Sequence, residues 1–144
     1  DSVITYTYDE NNNLIILTAE HKNKAISRLE RTLDERGKVI RERSYLNEEL
    51  ISDYMYEYNE NGQKIKYCSC PTDGSSSRNE TVYDYDESGK LVRVTTTWDL
   101  NQSTSIRLYE HNEYGEKTKE LRYTYVDSKL ESSSTIVYKY GIIS

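Results

Sequence analysis

The chain has no phenylalanine, one proline, one tryptophan, one methionine, two histidines and two cysteines among its 144 residues. Each scarcity excludes something. Only 35% of the residues are hydrophobic, which is too little material for the thick apolar interior of a sandwich or a helix bundle. No apolar run approaches the ~20 residues that carry a helix across a bilayer, so no transmembrane segment is expected. Two histidines leave zinc and imidazole chemistry short of ligands. Cys68-Ser69-Cys70 has neither the C-x-x-C redox spacing nor a zinc spacing, and reads as two unpaired thiols on one strand face. G-x-S-x-G, a glycine-rich phosphate loop and H-E-x-x-H are all absent, so no catalytic residue, cofactor or enzyme is expected. The net charge of −6 comes with no basic block, which argues against a nucleic-acid or anionic-membrane partner.

What the chain does have is tyrosine, 15 of them, and a recurring turn. In Val82-Tyr83-Asp84-Tyr85-Asp86-Glu87-Ser88-Gly89-Lys90-Leu91-Val92, Asp at the first turn position bonds the backbone ahead and Gly takes positive φ at no steric cost. A type I turn followed by a left-handed residue closes a β-hairpin with a G1 bulge. β-Branched and aromatic residues flank it, as a pleated strand prefers. The spacing predicts Asp86 opposite Lys90 and Tyr85 opposite Leu91. The unit recurs at Asp9-Glu10-Asn11-Asn12, Asp34-Glu35-Arg36-Gly37, Asn59-Glu60-Asn61-Gly62 and Asn112-Glu113-Tyr114-Gly115. Asn12 replaces Gly in the first copy, as the best non-glycine residue for a left-handed backbone. Tyr138-Lys139-Tyr140 opens a sixth copy. A period of this size marks a repeat protein.

Tyr83-x-Tyr85-Asp86-x-x-Gly89-x-Leu91 resembles the YD repeat, also called the RHS repeat, of bacterial secreted and surface proteins. The resemblance covers nearly the whole chain, as five copies and a fragment. It implies successive β-hairpins in a long curling sheet. Some members of that family are linked to carbohydrate or cell-surface binding, and others form the shell of a toxin capsule. At 144 residues this stretch is too short to wind into a closed capsule, and no toxin-bearing or self-cleaving region is expected in it. The resemblance implies an extracellular or cell-surface location, with a signal segment removed ahead of Asp1 and lipoprotein anchoring left open.

The expected fold is all-β. One domain over 1–144 holds an antiparallel meander of about eleven strands in an open, twisted and curved single sheet. A closed barrel is the alternative, because closure removes edge strands. Leu46-Asn47-Glu48-Glu49 is a connection with room for one helical turn, and Pro71 to Ser77 is the loosest loop. Counting outward from the turns places Tyr56 opposite Lys66, Tyr83 opposite Arg93 and Tyr109 opposite Lys119 on one face. The second face then carries Leu17, Met55, Tyr67, Val82 and Val94 with Glu42, Glu57 and Glu120. Asp84-x-Asp86-x-Ser88-Gly89 matches half of a calcium loop, but turn chemistry accounts for it. His111 fills a tyrosine position of the repeat.

The feature with functional content is the tyrosine ladder. Tyrosine suits a half-wet sheet, with an apolar ring and a wet hydroxyl. It also suits recognition, because it offers large contact area at low entropy cost. The candidate contact face is Tyr56, Tyr58, Tyr83, Tyr85 and Tyr109, with Lys66, Arg93, Lys119 and Trp98. The expected function is a non-catalytic interaction module that binds a protein or polysaccharide through this face. The alternative is a structural spacer with no ligand. Two free sheet edges leave edge-to-edge dimerisation open.

Overall fold

A computed structural model of the chain describes residues 3–22, 25–70 and 78–140. They form eleven strands and, among the described residues, no helix. The loop expected over Pro71 to Ser77 lies outside the described residues. The chain divides into two compact units, Asp1–Arg78 and Asn79–Ser144. The first contains β1 (Val3–Tyr8), β2 (Leu14–Glu20), β3 (Ile26–Leu33), β4 (Val39–Leu46), β5 (Glu49–Tyr58) and β6 (Lys64–Cys70). The second contains β7 (Asn79–Tyr85), β8 (Leu91–Trp98), β9 (Ser103–His111), β10 (Lys117–Val126) and β11 (Lys129–Val137). Within each unit every strand pairs antiparallel with its neighbours in sequence. The strand order is a meander that does not close into a barrel.

The composition explains the thinness of this architecture. Among the described apolar residues only Ala19 and Cys68 are buried, so no second layer covers either face. Stability rests on the backbone ladders and on rows of side-chain pairs, each contributing roughly 0.2–1 kcal/mol.

Five turns share one construction. The leading Asp or Asn accepts backbone N–H bonds through Oδ1, from Asn11 and Asn13 to Asp9 at 3.0 and 2.8 Å and from Ser88 and Lys90 to Asp86 at 2.9 Å each. Asp34 and Asn112 do the same, and Asn59 Oδ1 accepts from Gln63 N. Asp86 Oδ1 also accepts the Ser88 hydroxyl at 2.7 Å. Asn12, Gly37, Gly62, Gly89 and Gly115 all have φ between 64° and 82°. A Cβ added at Gly37 would sit 3.6 Å from Asn13 Oδ1, an ordinary contact. The cost of replacing Gly37 is therefore the backbone conformation. Gly37→Ala should destabilise the first unit by about 1–2 kcal/mol. Gly37→Asn should cost clearly less, as Asn12 shows. Urea unfolding followed by tyrosine signal checks the difference, and equal losses would refute it.

The connection at Leu46–Glu49, with room for one helical turn, is instead a two-residue hairpin loop. Asn47 and Glu48 have φ of 50° and 67°, and Asp127 and Ser128, between β10 and β11, have 49° and 64°. Two successive left-handed residues match the right-handed twist of the flanking strands. Asn47 supports its loop from β3, its Oδ1 accepting Ile26 N–H at 2.8 Å.

Each turn hairpin also holds a bulge on its return strand. Tyr85 pairs with Leu91 as expected, and Asp86 with Lys90 through the Asp86 N–H to Lys90 O bond at 2.9 Å. Then Asp84 pairs with Arg93, which leaves Val92 as the extra residue. The same skip leaves out Ile15, Ile40, Ile65 and Thr118. All five stand three residues after the left-handed position, and all are β-branched. A single extra residue moves every side chain beyond it to the other face.

Candidate functional site

The bulges redraw the predicted faces. Tyr56 pairs with Tyr67, not Lys66, and Lys66 pairs with Glu57. Tyr83 pairs with Val94, not Arg93, and Arg93 pairs with Asp84. Tyr109 pairs with Glu120, not Lys119, and Lys119 pairs with Glu110. Lys66, Arg93 and Lys119 therefore stand on the face away from the tyrosines. There they meet carboxylates, at 4.0 Å for Lys66–Glu57, 4.0 Å for Arg93–Asp84 and 2.9 Å for Lys119–Glu110. Leu17, Tyr67, Val94, Glu42 and Glu120 move onto the tyrosine face by the same shift.

In the first unit the tyrosine face of β5 and β6 is an aromatic stack. The Tyr67 ring lies 5.6 Å from Tyr54 and 5.6 Å from Tyr56, centroid to centroid, a separation typical of offset or tilted aromatic pairs. Cations cover the rings, but not the expected ones. Lys64 Nζ sits 4.7 Å from the Tyr56 centroid and Lys38 Nζ 5.2 Å from that of Tyr58. Burial, reinforced by Glu42 and the neighbouring tyrosines, pushes the Tyr56 hydroxyl up to about 12. It stays a protonated donor across physiological pH. Burial also raises Tyr58. The Tyr58 hydroxyl donates to Val39 O at 3.0 Å, reaching back across the preceding hairpin.

In the second unit Tyr83 and Tyr85 share a face of β7 with Trp98 at the end of β8, which pairs with Asn79 and Ser103. Burial raises the Tyr85 hydroxyl as well. Tyr109 lies on the same face of β9 and is covered by Lys117 Nζ at 4.2 Å. Lys117 also approaches the Tyr138 ring at 5.6 Å. Between them Glu120, only 4% exposed, accepts Arg122 Nε at 2.6 Å and the Tyr138 hydroxyl at 2.8 Å. The Tyr140 hydroxyl donates to Lys117 O at 2.7 Å. This is the same reach made by Tyr58, since Val39 and Lys117 both stand two residues after their turn glycine.

The other face of the first unit is ionic and contains the chain's sulfur. Asp53, 6% exposed, accepts Arg41 Nε at 2.8 Å and Arg41 Nη2 at 2.5 Å, with Arg43 Nε at 3.7 Å. A groove of about 530 Å³ is bordered by Ile40, Met55, Ile65 and Cys68, with Arg78 and with Tyr56 and Tyr58 also in its lining. Both cysteines are free. His21 Nε2 meets Ser27 Oγ at 3.1 Å in an exposed position. His111 ends β9 opposite Lys117. Among the described residues no three His, Cys, Asp or Glu side chains gather as metal ligands. Sequence reasoning missed Tyr54, Tyr67 and Lys64 as partners of Tyr56. The repeated β-branched residue after each turn was the available signal for the shift that joins them.

No family model matches the chain. A homoserine O-acetyltransferase of Methanosarcina acetivorans is 34% identical over 56 residues, 39% of this chain and 10% of that protein. The match thus spans a tenth of the length of that curated relative.

Proposed function

We propose that the chain is a non-catalytic interaction module of the YD-repeat kind, acting outside the cell or at its surface. In this reading it holds an extended polysaccharide on the aromatic face of the first unit. The observation that carries the proposal is the Tyr54–Tyr67–Tyr56 stack, with ring centroids 5.6 Å apart at each step. Half-buried rings fixed by their neighbours offer flat apolar contact at low entropy cost. Adjacent hydroxyls and Lys64 supply hydrogen bonds around the edge. A repetitive sheet surface suits an extended ligand.

The test is a titration of the protein with soluble cell-wall and host polysaccharides, read by tyrosine fluorescence. Saturable binding should fall at least about 10-fold in Tyr56→Ser/Tyr67→Ser, the loss expected when stacking worth 1–3 kcal/mol is removed. Unchanged affinity in that variant, with the sheet intact by circular dichroism, would overturn the assignment of the site. Saturable binding of a protein partner with no glycan hit would redirect the same face to protein recognition.

A second reading, a structural spacer, has its own support. The Tyr58 and Tyr140 hydroxyls donate to Val39 O and Lys117 O, so the second tyrosine of the motif ties one hairpin to the previous one. That reading predicts no saturable ligand, and a Tyr58→Phe variant that loses stability and nothing else.

A further inference from the structure

We propose that Cys68, Cys70 and Met55 form a binding site for one soft, monovalent metal ion of the copper(I) type. These are the only sulfur-bearing side chains the sequence contains, two cysteines and one methionine. The register brings all three to one place. Cys68 pairs with Met55 across β5 and β6, so the two share a face, and Cys70 follows two residues on along the same face. By register it is the face opposite Tyr56, and none of the three donors belongs to the polysaccharide reading.

The geometry fits a two-thiolate clamp. Cys68 Sγ and Cys70 Sγ lie 3.8 Å apart. Two thiolates each about 2.3 Å from one ion can lie up to about 4.6 Å apart, so the pair reaches a shared ion with little movement. Soft thiolate and thioether donors select copper(I). Cys68 is buried, but it borders the open groove together with Met55, which is 38% exposed. That groove is the entry path.

The charges favour a monovalent ion. Copper(I) and two thiols give a bis-thiolate complex of charge −1 and release two protons. Arg78 Nε lies 3.3 Å from Cys68 Sγ, placed to balance that charge. The carboxylate that pairs with Cys70 on this face is Asp53. Both its oxygens are already held by Arg41, so it is not offered as a ligand. Structural zinc sites take four nitrogen, sulfur or oxygen ligands, and among the described residues no three His, Cys, Asp or Glu side chains gather here. Two protons leave as the metal arrives, so binding should strengthen with pH.

The test uses the whole reduced chain, without oxygen, titrated with copper(I) against a chromophoric copper(I) chelator. The expected result is one equivalent bound, with a thiolate-to-copper charge-transfer band. Cys68→Ser and Cys70→Ser should each weaken binding by more than about 100-fold and Met55→Leu by about 10-fold with the band retained, beyond or at the scale of outer-shell losses. Should a cysteine variant fail to fold, alkylation of the wild-type chain decides, since bound copper(I) should protect both thiols. Competition no better than that of the Cys68→Ser/Cys70→Ser chain, full alkylation in the presence of copper(I), wild-type affinity in Met55→Leu, or zinc bound as tightly as copper(I) would each overturn the proposal.

Discussion

Glu120→Ala should destabilise the second unit by about 2 kcal/mol, a large loss for a side chain on an open sheet. Glu120 joins three partners from three places in sequence. Arg122 Nε lies 2.6 Å away, the Tyr138 hydroxyl 2.8 Å and Lys117 Nζ 3.7 Å. The hydrogen bond from Arg122, then those from Tyr138 and the charges of Arg122 and Lys117, hold the carboxyl below its ordinary range against the opposing effect of burial. Breaking a deeply buried ion pair costs about 3–5 kcal/mol because the surviving charge is stranded. Here the figure is lower, because the side chains of Arg122 and Lys117 are 47% and 37% exposed and recover water. The remaining loss comes mainly from Tyr138. Its hydroxyl loses its acceptor, and the segment after β11 loses one of its ties to β10. Glu120→Gln keeps an acceptor for Tyr138 but not the charge for Arg122, and should lose about half as much. Urea unfolding followed by Trp98 fluorescence reports on this unit, since Trp98 ends β8 within it. A loss under about 0.5 kcal/mol would place the cluster with ordinary surface pairs.

The contrast between this cluster and the tyrosine ladder shows what was legible in the sequence. Turn residues act locally, so Asp86, Gly89 and their four counterparts could be read directly, and with them the hairpins and most strand limits. Tyr85 opposite Leu91 follows from the turn alone. The bulge at Val92 does not, because it lies within the return strand, three residues beyond Gly89. Missing that one residue per hairpin carried Lys66, Arg93 and Lys119 to the wrong face and separated Tyr67 from Tyr56. Of the cations that do cover the rings, Lys64 and Lys117 stand just before a bulge. The Asn47-Glu48 and Asp127-Ser128 loops escaped for a related reason. They take two left-handed residues without the glycine that usually announces them. Glu120 and Asp53 could not be singled out among 25 acidic residues, because what distinguishes them is the pairing across strands. The meeting of Met55 with Cys68 depends on register in the same way.

Asp53 should make the first unit acid-labile in a way that one substitution can isolate. Its carboxylate is held well below the usual value, first by the hydrogen bond from Arg41 and then by the charges of Arg41 and Arg43, with burial working the other way. A carboxylate depressed on folding contributes stability that is complete above its unfolded value, here 3.8, and that is lost as pH falls through the lower folded value. Asp53→Asn should therefore be less stable than the wild type at pH 7, by about 2 kcal/mol once partial exposure of Arg41 is allowed for. The two stability curves should then converge as pH drops below about 4, because protonated Asp53 can no longer pair with Arg41. The turn carboxylates Asp9, Asp34 and Asp86 are also depressed, mainly by hydrogen bonds to their own turns. They add a slope in the same pH window that both proteins share, so it cancels in the difference. Urea midpoints of the wild type and Asp53→Asn at a series of pH values, read by tyrosine fluorescence, measure that difference. A gap that stays constant down to the lowest pH would mean that the Arg41–Asp53 contact holds the sheet by shape and hydrogen bonding, and not by charge.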